Sequence, residues 1–411
     1  SVRLKKQTTY WLWKMVLLWS RGAILICWHP LDVMRSSTTT SLMSLGLPDL
    51  VSVEQRLTKA WDRDSWGLIF FVPLSWLLRI IVALRRYLLQ AKHQGQPFSA
   101  PVVIIGNISV GGSGKTPLII ALVKALKQRG YSIGVVSRGY GAKADGYPLA
   151  VTGATKATQC GDEPLVISQA CSCPVVVAPD RVAAVNYLLA NYCCDLILSD
   201  DGLQHYRLHR DIEIAVVDGA RGLGNQHCLP AGPLRESAQR LNQVDFVLIN
   251  GLPDKSVSRA VMPVLPADID RHQIALQPSV FRHLASGKTV VASAWSEPFS
   301  VHAVAAIGNP QRFAATLEIL GFDVDLVGRD DHQQLKLADL SFDDDLPIII
   351  TAKDAVKFTD SVADNIWVLE VEMVLPDGFL DSLTGSAGLE AGNLAGIKLT
   401  TATMNHPEIK S

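Results

Sequence analysis

One feature narrows the fold more than any other. A continuous apolar run, Pro101–Asn107 (PVVIIGN), leads directly into Ser109-Val-Gly-Gly-Ser-Gly-Lys115-Thr116 and then Pro117-Leu-Ile-Ile-Ala-Leu-Val-Lys-Ala-Leu. A short run rich in β-branched residues reads as a buried strand, and the apolar stretch after the turn reads as a helix. Strand, glycine-rich turn and helix form the setting in which a Walker A loop works. Gly111, Gly112, Ser113 and Gly114 let backbone N–H groups wrap phosphate oxygens, and the helix N-terminus adds the positive end of its dipole. In such a loop Lys115 neutralises the β- and γ-phosphates and Thr116 offers its hydroxyl to Mg²⁺. Ser109 stands where the strict pattern has glycine.

The chain then continues in the same idiom. Gly134-Val-Val-Ser-Arg138-Gly-Tyr140-Gly141 reads as a second strand ending in a flexible turn that carries a cation, facing either phosphate or solvent. Cys160-Gly161-Asp162-Glu163-Pro164 opens a helix over Leu165–Ala170. Asp162 there is either an N-cap satisfying helix donors or a general base or metal-side carboxylate. Leu196-Ile-Leu-Ser-Asp200-Asp201 is an apolar strand ending in two acids, the shape of a Walker B element that holds Mg²⁺; a structural Asp-Gly turn is the alternative. Ile212–Asp218 and Val244–Asn250 add strands, with a Pro/Gly-punctuated loop at Leu229–Glu236. Short apolar strands alternating with helical segments argue for a parallel sheet flanked by helices, with nucleotide outside the strands' carboxyl ends.

Composition sets limits. The 411 residues are 48% hydrophobic, which excludes a disordered chain, and 38 basic against 39 acidic side chains leave no global basicity for nucleic acid. The charge is uneven, though: from Ser65 to Gly161 Asp145 is the only acid, amid Arg79, Arg85, Arg86, Lys115, Lys124 and other bases. A basic N-terminal region suits phosphate groups or an acidic membrane surface. The seven cysteines are odd in number and form no zinc pattern, so they read as free thiols of a reducing cytosol.

Two N-terminal segments are apolar enough to meet a membrane. Trp11–Trp28 is interrupted by Lys14 and Arg21, and a Ser/Thr-rich stretch follows it. Residues 1–52 therefore read as an appended extension, with Met43 or Val51 as the natural beginning. Ser65–Leu78 (SWGLIFFVPLSWLL) is uncharged, but it is shorter than the about 20 residues a span needs and carries Pro73. With Trp66, Trp76 and a basic end at Arg85-Arg86, residues 53–95 read as an element lying in the membrane interface.

Taken in order, these residues resemble the tetraacyldisaccharide 4′-kinase family of lipid A biosynthesis, from about Val53 to Leu383. The apolar helix, GNISVGGSGKTP, SRGYG, GDEP, SDDGLQH, LPAGPLRE, IGNPQRF (Ile307–Phe313) and ITAKDAVKF (Ile350–Phe358) carry the resemblance. It implies ATP- and Mg²⁺-dependent phosphorylation of the 4′-hydroxyl of a tetraacyl disaccharide 1-phosphate, giving lipid IVA, at the cytoplasmic face of the bacterial inner membrane. It assigns nucleotide binding to Lys115 and Thr116, metal binding to Thr116, Asp200 and Asp201, and the role of base to Asp162. The family's Pro-Asp-His-His corresponds to Arg329-Asp330-Asp331-His332-Gln333, which maps the catalytic partner to His332. Arg138, Tyr140, Gln204, His205 and Arg235 are candidates for contact with the 1-phosphate and sugars.

The expected architecture is α/β: a P-loop NTPase α/β/α lobe over 96–253, a connector with β-hairpin character over 254–286, a smaller α/β lobe over 287–385 and a tail over 386–411. In the smaller lobe VVASA, FDVDLV, PIIIT and IWVLEVE read as strands and Gln311–Gly321 as a helix, with a hinge bringing His332 to Asp162. Two rival readings remain. One is a P-loop GTPase or metallochaperone-like switch, because Thr351-Ala-Lys353-Asp354 superficially resembles a guanine-reading motif; the other is a membrane-bound nucleotide-binding scaffold.

Overall fold

The computed structural model describes residues 61, 66–92, 97–251, 269–296, 299–328, 335–358 and 364–389. The 1–52 extension, the 386–411 tail beyond residue 389, and His332 with its flanking acids lie outside the described residues. Every described residue belongs to one compact unit.

The helices are α1 (Val72–Lys92), α2 (Lys115–Gln128), α3 (Ala157–Cys160), α4 (Asp162–Cys171), α5 (Arg181–Asn191), α6 (Pro310–Ile319), α7 (Ala352–Ala355) and α8 (Phe379–Ser386). The strands are β1 (Val102–Gly106), β2 (Ile133–Ser137), β3 (Leu149–Ala150), β4 (Val175–Val177), β5 (Leu196–Asp200), β6 (Ile212–Asp218), β7 (Phe246–Asn250), β8 (Asp270–His283), β9 (Thr289–Val291), β10 (Ser300–Ala305), β11 (Asp323–Gly328), β12 (Ile348–Thr351) and β13 (Ile366–Val374). They form one sheet path, β11-β10-β12-β13-β8-β7-β6-β1-β5-β2-β4-β3, with β9 paired to β8.

Every residue of β1, β2, β5 and β6 is buried, as expected of parallel strands covered on both faces. Alternate side chains of β1 enter opposite layers. Val103 and Ile105 pack with Leu118 and Leu122 of α2, while Val102 and Ile104 pack with Ala184 and Leu188 of α5. β1 lies between β5 and β6, so its carboxyl end opens at the centre of the parallel sheet, where ligands gather in such folds.

The C-terminal half repeats the theme. β10, β12 and β13 run parallel, with Phe313 and Leu317 of α6 on one face and Leu335, Leu340 and Ala355 on the other. The stretch expected as a connector contains β8, a 14-residue strand whose first part pairs in parallel with β7 and whose second part pairs antiparallel with β13. β8 thus carries the sheet from one half into the other, and its hairpin partner is β9. The strands and helix expected in this half are present as β11, β12, β13 and α6, while of VVASA only Val290 and Val291 lie in β9 and Ala292–Ala294 forms a 3₁₀ turn. β10, between β11 and β12, is the element that pattern reading passes over.

α1 follows a 3₁₀ segment, Trp66–Phe71, and is the one helix among the described residues long and apolar enough to cross a membrane. It docks through its polar side. Ser75 Oγ accepts the Ala231 N–H at 3.0 Å, Arg79 donates to Gln239 Oε1 at 3.1 Å, and the Arg86 guanidinium lies over the Tyr206 ring. Its apolar residues face outward: Trp76 is 67% exposed and Ile80 64%, with Leu77, Leu84 and Leu88 on the same side.

Candidate active site

The loop after β1 is shaped by backbone that side chains resist. Gly111 and Gly114 have φ of 102° and 89°, the left-handed region that glycine enters without strain. A Cβ on Gly114 would lie 2.3 Å from Asn250 Nδ2. That amide instead donates to the Ser113 carbonyl at 2.9 Å, tying the loop to the end of β7. The loop's entry is pinned as well: Val110 N donates to Pro233 O, and Arg235 N to Ile108 O at 2.7 Å. Ser109 pairs with Leu234 in an isolated bridge, an anchoring contact that leaves the rest of the loop for phosphate. Lys115 and Thr116 open α2 directly behind it.

The acidic strand end faces this loop. Asp201 has φ of 45° and turns its carboxylate toward two cations, Lys115 Nζ at 3.4 Å and Arg235 Nη1 at 3.0 Å. Burial alone would raise the Asp201 carboxyl, but Arg235 and Lys115 outweigh it and hold the group well below the usual carboxylate range. Asp200 beside it is fully buried. Ser137 Oγ donates to its Oδ2 at 2.9 Å, while Oδ1 accepts no hydrogen bond. Burial, then the charges of Glu163 and Asp201, push its pKa up to about 7. A buried carboxylate oxygen with no donor, next to the Walker lysine, suits a cation. No cluster of three His, Cys, Asp or Glu side chains among the described residues could hold a metal by itself.

Asp162 is the first residue of α4, and the N-cap is Gly161 with φ of 92°. The N-cap alternative for Asp162 is thereby corrected: the tight approach of Gly161 to the Tyr140 carbonyl reserves that position for glycine. The Asp162 carboxylate lies 3.8 Å from Lys357 Nζ, and Glu163 lies 3.3 Å from Lys353 Nζ. The influence of Glu163 on Asp200 places the start of α4 on the same side as the strand-end acids.

The candidate substrate contacts divide. Gln204 Nε2 donates to Asn107 O and to Glu236 Oε1 at 2.8 Å, and Arg235 donates to Asp201. His205 lies 3.8 Å from Asp180, and burial with the nearby Arg181 lowers its pKa to about 4. Arg138 and Tyr140 follow β2, on the turn that meets Gly161.

Three residues escaped pattern reading. Arg181 is buried and donates to the carbonyls of Ala178 and Asp200, fixing the end of β5. Arg312, from IGNPQRF, donates to Asn250 Oδ1 at 3.3 Å and lies 3.6 Å from Asp218, so α6 reaches the phosphate loop through one amide. Lys357 is the third. Their motifs were visible, but the contacts arise from distant segments and have no local periodicity.

The guanine-reading interpretation of Thr351–Asp354 does not hold. Asp354 is fully buried, and its carboxylate accepts from Ala306 N, Thr351 Oγ1 and Lys357 Nζ, leaving it no access to a base.

Comparison with known proteins gives a consistent picture. The tetraacyldisaccharide-1-P 4′-kinase family profile matches residues 68–387. A tetraacyldisaccharide 4′-kinase of Ectopseudomonas mendocina (strain ymp) is 45% identical over 335 residues, covering 81% of this chain and 97% of that protein. The tetraacyldisaccharide 4′-kinase of Legionella pneumophila (strain Corby) is 45% identical, covering 79% of this chain and 95% of that one. Among solved structures, LpxK from Aquifex aeolicus, crystallised in complex with ATP, superposes with a TM-score of 0.64 at 24% identity, covering 78% of this chain and 98% of that chain. Matched over most of its length and across nearly the whole of these relatives, the chain belongs to the tetraacyldisaccharide 4′-kinase family.

Proposed function

We propose that this enzyme transfers the γ-phosphoryl group of ATP to the 4′-hydroxyl of a tetraacyl disaccharide 1-phosphate, forming lipid IVA at the cytoplasmic face of the bacterial inner membrane. The observation that carries this reading is the convergence of Lys115, Asp200 and Asp201 at the mouth of the phosphate loop, in a chain of this family.

Backbone N–H groups from Gly111 to Lys115 receive the phosphates, and the Lys115 ammonium, released from Asp201, follows the charge that develops on the transferred group. Thr116, Asp200 and Asp201 would hold Mg²⁺. The chemistry such an ion would supply there is neutralisation of phosphate charge. Asp162 takes the proton of the 4′-hydroxyl, with His332 as its partner, and Arg138, Tyr140 and His205 line the approach of the lipid's sugars and 1-phosphate. Phosphoryl transfer asks the protein mainly for alignment and charge neutralisation, which these groups supply. The outward apolar face of α1 lies in the bilayer interface, so a water-facing site reaches a lipid that stays in the membrane.

The test is label transfer from γ-labelled ATP to the tetraacyl disaccharide 1-phosphate in detergent micelles. Wild-type protein transfers label, and Asp162→Ala loses about 10²–10⁴-fold, the range of a positioned general base. Undiminished transfer by the variant would remove Asp162 from that role.

A further inference from the structure

The segment Thr351–Phe358 remains unexplained once it is excluded as a base-reading motif, and its geometry is directed at Asp162. Asp354 is immobilised from three sides. Its Oδ2 accepts from Ala306 N at 3.1 Å and Thr351 Oγ1 at 2.7 Å, and its Oδ1 accepts from Lys357 Nζ at 2.9 Å. Thr351 also accepts the Asp354 N–H as the N-cap of α7, so the motif closes on itself. The Lys357 side chain is 7% exposed and its ammonium lies 3.8 Å from Asp162 Oδ2. Lys353, four residues earlier, reaches Glu163 in parallel fashion. Two lysines from the C-terminal half of the sheet thus meet the two adjacent acids that open α4.

Burying an ammonium costs several kcal/mol, and hydrophobic replacements of such pairs are often neutral or stabilising, so stability alone is a poor reason for Lys357 to be there. The Lys357 ammonium donates to Asp354 Oδ1 at 2.9 Å and forms an ion pair with Asp162 Oδ2 at 3.8 Å. Asp162 sits at a helix N-terminus, where the dipole already favours a carboxylate. The lysine adds direction: a positive charge held in place 3.8 Å from Oδ2 favours one orientation of the carboxylate. We infer that Lys357 is a positioning residue for the transfer reaction, its ammonium held by Asp354 so that it orients the Asp162 carboxylate. This rests on the reading of Asp162 as the base. It also gives the second half of the sheet a part in the chemistry beyond packing.

A double-mutant cycle on the full chain tests this, using γ-label transfer to the tetraacyl disaccharide 1-phosphate, with ATP affinity and thermal unfolding measured alongside. Lys357→Met lowers kcat by about 10²-fold, the scale of a misaligned reacting group, while KM and affinity for ATP stay within about twofold. Lys357→Arg keeps the charge and recovers all but about tenfold of the rate. In an Asp162→Asn background, Lys357→Met causes no further loss. Because Lys357→Met leaves Asp354 buried without its cation, the pair Lys357→Met with Asp354→Asn is made as well; it removes both charges together and shows the same kcat defect in a folded protein.

Equal losses from Lys357→Met in the wild-type and Asp162→Asn backgrounds would overturn the inference, as would an undiminished rate in Lys357→Met, alone or with Asp354→Asn. Full activity in Asp162→Asn alone would overturn the base assignment and this inference with it. Loss from Lys357→Met beside intact Asp162→Asn activity would assign the lysine a role independent of the carboxylate.

Discussion

The Lys115 ammonium lies 3.4 Å from Asp201 Oδ1, while Arg235 holds the same carboxylate from the other side. The lysine of the glycine-rich loop and Arg235 thus share one acid, the residue that follows β5.

Asp201→Asn breaks this arrangement. Lys115 and Arg235 then face each other with no anion between them, and kcat falls by about 10²-fold or more, the scale of losing one preorganised electrostatic contact. Steady-state kinetics against ATP and Mg²⁺ check it. A rate within about threefold of wild type would contradict the proposed role.

Asp200 predicts a pH effect on stability. An acid whose pKa is higher in the folded than in the unfolded protein contributes stability that is complete below the unfolded value and lost as pH rises through the folded one. Asp200 moves from 3.8 to about 7. In Mg²⁺-free solution, its contribution therefore declines as pH rises from 3.8 to about 7. Thermal unfolding of wild type and Asp200→Asn across that window shows the difference: the variant gains on wild type as pH rises. Curves that stay parallel would contradict the assignment.

Gly114 is required by its φ and by its closeness to Asn250. Gly114→Ala loses about 1–3 kcal/mol of stability through backbone strain and displaces the Asn250 amide from the Ser113 carbonyl. Calorimetric unfolding and ATP titration both register it, with weaker nucleotide binding expected alongside the lower melting temperature.

The exposed face of α1 predicts membrane attachment. Ile80→Glu with Leu84→Glu replaces two outward apolar side chains without touching the docking contacts of Ser75, Arg79 and Arg86. At about 1.5–3 kcal/mol for each buried aliphatic side chain, vesicle binding falls on the order of 10²-fold or more. Cosedimentation with phospholipid vesicles measures it, and ATP affinity stays unchanged.

Much of the fold could be read from the chain because its central strands are buried on both faces. Val102–Gly106 and Leu196–Leu198 write that burial as unbroken apolar runs, and Gly114-Lys115-Thr116 marks the turn between strand and helix. β10 was harder to see. Its run is interrupted by His302, which sits between Asp325 at 2.9 Å and Asp344 at 3.0 Å, partners from elsewhere in the sequence that make a polar residue tolerable in a buried strand. β8 hid its role because it changes from parallel to antiparallel partners midway and so shows no single alternation.

The site was legible where one local motif supplies the chemistry, as at Lys115, Asp200 and Asp201. Arg181, Arg312 and Lys357 depend on tertiary contacts to Asp200, Asn250 and Asp162, and no spacing encodes those. Asp162 shows both limits: its motif marked a helix start, but only the structure shows that Gly161 takes the cap and that a lysine from the far half of the sheet faces the carboxylate.

The most direct test of the account is the identity of the product. After incubation with ATP, Mg²⁺ and the tetraacyl disaccharide 1-phosphate, the lipid is isolated and examined by phosphorus NMR with proton correlation. The account predicts a new phosphomonoester coupled to the proton at the 4′ carbon, beside the original 1-phosphate signal. Consumption of ATP with only inorganic phosphate released, or a new phosphate on any other carbon, would contradict it.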